Sequence, residues 1–271
     1  MKKLPILWAI FLIFILSSSA QTVQEDKSRQ AETLYQKAVD LILKDFSSPS
    51  LLKAIEILEQ ASQLDPGNDR IWSKLSSLYW HYGDRLPKKK KEERQIRLQW
   101  FEKGMEAGEK AMKLNPDNVE ALFYYTTNLA SSGEMKGILN SLWMFPTLCD
   151  NMEKVDKMDP NFEQGSVDRF WSEVLVRVPN FVAKMFGSSK QDGIADLKED
   201  IKKWPNHFAS YTYLARLLWS IKKKDEALKY LEYILTHNPN ADPEWASENR
   251  YEQEVARKQW KQWTGKDFPN R

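Results

Sequence analysis

The chain has 271 residues, with 40 Lys and Arg against 38 Asp and Glu, a formal charge of +2 with histidine neutral. So even a balance excludes the strongly basic face that general nucleic-acid binding requires. Ten glycines beside 11 Trp, 10 Tyr and 12 Phe exclude a low-complexity chain, and the wealth of Lys, Glu, Leu and Ala favours an all-helical protein of one large domain or two small ones.

In chain order the first element is a targeting segment. Lys2 and Lys3 precede an apolar run from Leu4 to Leu16, and Ser17 to Ala20 supply small residues for cleavage between Ala20 and Gln21. The run is 13 residues long, short of the roughly 20 that span a bilayer. A cleaved signal peptide over residues 1–20 is expected, without a lipid-modified cysteine, which places the protein in the periplasm or outside the cell. No later segment is apolar enough to cross a membrane. Cys149 is the sole cysteine, so no internal disulfide is expected, and its apolar context reads as a buried small hydrophobe.

Beyond the leader, five short stops recur: Leu64-Asp65-Pro66, Leu114-Asn115-Pro116, Met158-Asp159-Pro160, Trp204-Pro205 and Asn238-Pro239. Proline ends helices and pushes the preceding residue out of the helical region. Counting 5, 8 and 12 residues back from Pro66 gives Ala61, Leu58 and Ala54; from Pro239, Ile234, Leu231 and Ala227; from Pro116, Ala111, Gly108 and Gly104. From Pro160 the same offsets give Val155, Met152 and Leu148, and from Pro205 they give Asp200, Leu197 and Gly193, with Asp200 the misfit. Steps of three and four share a helix face. The segments after the prolines have a complementary face: Trp72, Leu75, Ser76, Tyr79; Leu122, Tyr125, Thr126, Leu129; Tyr211, Leu214, Ala215, Leu218. The predicted units are about 31–68, 69–118, 119–161, 162–206 and 207–241, followed by a polar-faced capping helix at 244–264 and a tail at 265–271.

The proline intervals are 50, 44, 45 and 34 residues, so the middle units carry insertions. One, near 87–101, opens with Pro87 and a lysine run and leads into a long helix ending at Leu114. The other, 133–146, holds Leu139, Leu142, Trp143, Met144 and Phe145, too apolar for a bare loop, and either packs onto the repeats or presents a hydrophobic contact site. His81, His207 and His237 have no partners at metal-ligand spacing, and no phosphate loop or nucleophile turn occurs. The chain reads as a binding protein without catalytic residues, cofactor or metal.

These patterns resemble the tetratricopeptide repeat (TPR), with Trp-x2-Leu-Gly-x2-Tyr on its first helix and Ala-x3-Phe-x2-Ala-x4-Pro on its second. Residues 208–241 fit without a gap. The resemblance implies an all-α, right-handed solenoid of helical hairpins, about five degenerate units plus a capping helix, whose first helices line the concave side. On that side it places Arg70, Trp80, Phe123, Thr127, Arg216 and Trp219, suited to a peptide, an organic acid or a hydrophobic ligand.

The run from Met158 through Gly165 and Arg169 to Pro179 is similar to the T component of TRAP-type transporters. That resemblance implies a periplasmic, self-associating protein that contacts the solute-binding protein, with Gly165, Arg169 and Pro179 shaping the turn between units and Arg169 either facing a ligand or partner or only capping a helix. The alternative is an envelope scaffold that binds peptides or assembly partners through the concave face.

Overall fold

A computed structural model describes the backbone of residues 4–185 and 187–269. Side chains are described from residue 22 onward, apart from 138–140, 180, 182 and 185. The side chains of the expected leader and of its cleavage site therefore lie outside those described, as does the side chain of Leu139. Among the described residues no helix is long and apolar enough to cross a membrane.

The elements in order are α1 (Leu4–Lys44), α2 (Ser48–Leu64), α3 (Asp69–Arg85), α4 (Lys91–Leu114), α5 (Val119–Lys136), α6 (Phe145–Met158), α7 (Ser166–Arg177), α8 (Asn180–Met185), α9 (Lys190–Lys203), α10 (Phe208–Ser220), α11 (Lys224–Thr236) and α12 (Ala246–Thr264). Short 3-10 turns at Ile138–Met144 and Phe162–Gln164 precede α6 and α7. Among the described residues there is no strand.

Each recurrent proline lies just past a helix end. The residues that cap those ends, Asp65, Asn115, Asp159, Trp204 and His237, donate their N–H to the carbonyl four residues back. Asn68 and Asn118 then cap α3 and α5 by accepting the N–H of Arg70 and Ala121, so one short sequence closes a helix and starts the next. The residues 5, 8 and 12 before the prolines are buried in every unit, including Ala54, Leu58, Ala61, Gly104, Gly108, Ala111, Leu231 and Ile234. Even the misfit, Asp200, is buried.

Helices pair as α1/α2, α3/α4, α5/α6, α7/α9 and α10/α11, with α12 against α10 and α11. The stack then curls back on itself. Ser247 Oγ donates to the carbonyl of Ile42 at 2.8 Å and Arg250 Nη2 to that of Lys44 at 2.8 Å. The last helix thus satisfies unpaired carbonyls at the end of the first repeat's opening helix, where a cation also suits the helix dipole.

The insertions pack against the repeats. The Glu93 carboxylate accepts the N–H groups of Lys89 and Lys90 to start α4, and Lys88 pairs with Glu134 at 2.9 Å. Met144 and Phe145 are buried, but Trp143 is 73% exposed. Cys149 is half-buried rather than fully enclosed, and burial with neighbouring Asp150 raises its thiol pKa, which keeps it a weak nucleophile.

Candidate functional site

Curling brings α3, α5, α7, α10 and α12 around one cavity of about 170 Å3. Their inward sides carry the offsets that core packing leaves free: Trp80 on α3, Phe123 and Thr127 on α5, Arg169 on α7, and Tyr213 and Arg216 on α10. The turn before α6 and α6 itself add an apolar wall of Leu142, Met144, Phe145 and Leu148. From α12 come Glu248, Tyr251, Glu252 and Val255. The capping helix therefore points part of its polar face inward, where the sequence suggested an outer face, because α12 is enclosed by α1 and α10.

The charged lining divides in two. At one end Glu173 pairs with Arg177 at 2.6 Å and Arg216 at 3.4 Å, and Arg177 also reaches Glu134 at 3.2 Å. Asp84 pairs with buried Arg97 at 2.6 Å. Burial pushes the Glu173 carboxyl up, but Arg177 and Arg216 outweigh it and hold it below the usual range. The same partners raise Arg177 and Arg216 against burial. This end is internally neutralised.

At the other end three carboxyls lack arginine partners. Among the described residues the Glu163 carboxyl accepts hydrogen bonds only from the Tyr124 hydroxyl, 2.8 and 2.9 Å from its two oxygens, with Lys74 and Arg169 acting on it at longer range. That hydroxyl has a single proton to give, so His81 Nε2, 3.1 Å away, is its donor. Burial keeps His81 neutral, with Arg85 adding to the effect. Burial also raises the carboxyls of Glu163 and Glu252. Glu248 is pushed up to about 8 by burial and by the Glu163 carboxylate.

A strained turn aims Glu163 at the cavity. Glu163 (φ 45°, ψ 40°) and Gln164 (φ 51°) are both left-handed, and Gly165 follows at φ 90°. The first two conformations cost roughly 1–2 kcal/mol per residue for a side chain with a Cβ. Arg169 offsets that strain, donating from Nη2 to the Glu163 carbonyl at 2.5 Å and from Nη1 to the Gln164 carbonyl at 2.6 Å.

Of the residues expected on the concave side, Trp80, Phe123, Thr127 and Arg216 come together on the cavity wall, joined there by Arg169. Arg70 and Trp219 lie elsewhere. Arg70 pairs with Glu32 at 3.5 Å and covers the Tyr35 ring, and Trp219 stacks on Trp263 with ring centroids 4.3 Å apart. An organic acid was expected to suit Arg70 and Arg216, but both guanidiniums are engaged within the protein, as is that of Arg169. Glu163, Glu248, Glu252, Tyr124, Tyr251 and Arg85 were not foreseen as site residues. Their only sequence signal was the Glu248–Glu252 pair one turn apart, which looks like any solvated helix face. Among the described residues no group of three or more His, Cys, Asp or Glu side chains is disposed to hold a metal ion.

No protein-family model and no curated protein matches the sequence. Solved structures do resemble it. The chain is similar to a thermophilic TPR protein of Thermus thermophilus, with a TM-score of 0.57 at 13% identity, covering 83% of this chain and 98% of that one. It is more distantly similar to YrrB, described as a TPR protein with an unusual peptide-binding site, with a TM-score of 0.36 at 13% identity over 88% of this chain and 94% of that one. MamA matches with a TM-score of 0.37 at 14% identity over 82% of this chain and 94% of that one. At such identities the likeness speaks to fold: the protein is a TPR-like, all-α helical solenoid.

Proposed function

We propose that this is an exported TPR-like binding protein that holds a small ligand inside its curled solenoid and associates with the solute-binding protein of a TRAP-type transport system. The observation that carries the ligand part is the interior cavity, with an apolar wall and a few convergent polar groups, the usual make-up of a small-molecule site. Its size favours a compact ligand over a long one, since a cavity of roughly 150 Å3 admits benzene. The transport part rests on the Met158–Pro179 resemblance, whose Gly165 and Arg169 form the turn at the cavity edge. Export rests on the leader-like residues 1–20.

A peptide scaffold using the concave face is a poorer fit, because those side chains converge on a small cavity instead of lining an extended groove. Isolation of the full chain from the cell envelope should recover a solute-binding protein. Repeated recovery without one would refute the accessory role. Sedimentation of the purified chain tests the expected self-association.

A further inference from the structure

We infer that the cavity takes a small organic cation, an ammonium on a compact apolar body, with the ammonium among Glu163, Glu248 and Glu252. This rests on the reading of the cavity as a ligand site and adds the class of ligand.

The first argument is what the arginines are already doing. Arg177 and Arg216 are paired with Glu134 and Glu173. Arg169 is spent on two backbone carbonyls. Arg85 bonds the Phe46 carbonyl and lies between the Phe46 and Tyr251 rings, 4.6 and 3.6 Å from their centroids. It keeps one buried donor without a partner, Nη2, a single N–H where the strong two-point grip on a carboxylate uses two. An anion would therefore find no free fork.

The second argument is what the carboxyls are not doing. Glu252 is 7% exposed and lines the cavity, and its Oε2 has no well-formed hydrogen bond, the buried Thr212 hydroxyl being the one donor beside its carboxylate. A buried oxygen left that way is costly unless something else fills the role. Ser166 Oγ, also on the lining and 2% exposed, is unpartnered too. Glu248 makes no hydrogen bond or ion pair among the described residues, and Glu163 accepts only from Tyr124. Burial raises all three carboxyls, and the cations around them, Lys74, Arg85, Arg169 and Arg216, offset it only in part.

The third argument is the surround. Trp80 and Tyr124 line the cavity with aromatic rings, which attract cations, and Leu142, Met144, Phe145 and Leu148 provide the apolar pocket for the rest of the molecule. The three carboxyls are not set up for a metal ion, which leaves an organic cation as the class that fits.

Binding should be linked to protons. The groups that act on Glu248 are Glu163 from the strained turn, Arg169 from α7, Glu252 from α12 itself and Arg85 from α3; Tyr124 and His81, bonded to each other beside Glu163, Tyr251 from α12, Tyr213 and Arg216 from α10, Asp84 from α3 and the Glu173–Arg177–Glu134 cluster share the lining. With its carboxyl at about 8, Glu248 is largely protonated at pH 7, so a bound ammonium should displace that proton.

The test is calorimetry on the full chain with benzylammonium, benzoate and benzyl alcohol as probes matched in shape. Benzylammonium should bind at least ~10-fold tighter than the other two. It should release a proton near pH 7, seen as a heat that depends on the buffer's ionisation enthalpy. Glu248→Gln and Glu252→Gln, both isosteric, should each weaken it about 10-fold with helical content unchanged, while benzyl alcohol should be unaffected. Glu163→Gln gives a third check if either variant misfolds. Benzoate or benzyl alcohol binding as tightly as the amine would overturn the cation while sparing the cavity. Failure of all three probes would overturn the ligand-site reading itself.

Discussion

Gly104→Ala tests whether the repeat's small residues are present for close packing. In an exposed helix the change would help, since alanine is favoured over glycine by about 1 kcal/mol. Here a Cβ would lie 2.3 Å from Asn128 Oδ1 and 2.5 Å from its Nδ2. Asn128 is fully buried and cannot move aside freely. Its amide donates to the carbonyls of Tyr124 at 2.7 Å and Ser76 at 3.1 Å, tying α5 to α3 beneath α4. Overpacking costs roughly 1–3 kcal/mol, and stranding part of this network adds about 1–3 kcal/mol. Set against the propensity gain, the net loss should be about 2–4 kcal/mol, a fall in Tm on the order of 5–15 °C for a chain of this size. Urea denaturation followed by helical circular dichroism measures it. Gly67→Ala, where a Cβ would meet nothing closer than Asp65 Oδ1 at 3.9 Å, should change stability by under ~0.5 kcal/mol. A Gly104→Ala protein as stable as the parent would refute the packing account.

Three further outcomes can be checked. The Glu248 carboxyl is raised to about 8 against an unfolded value of roughly 4.3, so the folded state holds a proton that the unfolded state has released. Stability should therefore fall as pH rises from about 4.5 to 8, by several kcal/mol at most. Glu248→Gln should flatten that slope in urea titrations at pH 5, 6.5 and 8; a variant with the parental slope would exclude Glu248 as its source. Ser247→Ala with Arg250→Ala removes the bonds to Ile42 and Lys44, and should cost about 1–3 kcal/mol and speed amide exchange at the end of α1. Unchanged exchange there would show that the ring closes by other contacts. Gly165→Ala places a Cβ 2.2 Å from Asp200 Oδ2 at a φ of 90°, so it should destabilise by about 2–4 kcal/mol and weaken benzylammonium binding by redirecting Glu163. Stability equal to the parent's would show that the turn can rearrange.

Local chemistry made much of the fold legible before any coordinates. Proline geometry placed the helix ends, and helical spacing identified buried positions such as Ala61, Gly108 and Leu231, because both depend on residues within a few turns of each other. The same logic put Trp80, Phe123, Thr127 and Arg216 on the inner side. It put Trp219 there as well, but Trp263, at the far end of α12, takes up that ring.

What only tertiary structure decided was the closure and its electrostatics. Ser247 meets Ile42 across 205 residues of sequence, a contact set by the summed curvature of all the repeats and written in no single motif. Closure turns Glu248 and Glu252 from an ordinary charged helix face into cavity lining. It also determines which carboxylates find arginines: Glu173 does, and Glu163, Glu248 and Glu252 do not. The amino-acid sequence by itself determined a stack of helical hairpins, because helix, turn and cap are local. The cavity and its buried carboxyls came from long-range packing, since the worth of a charge depends on what surrounds it.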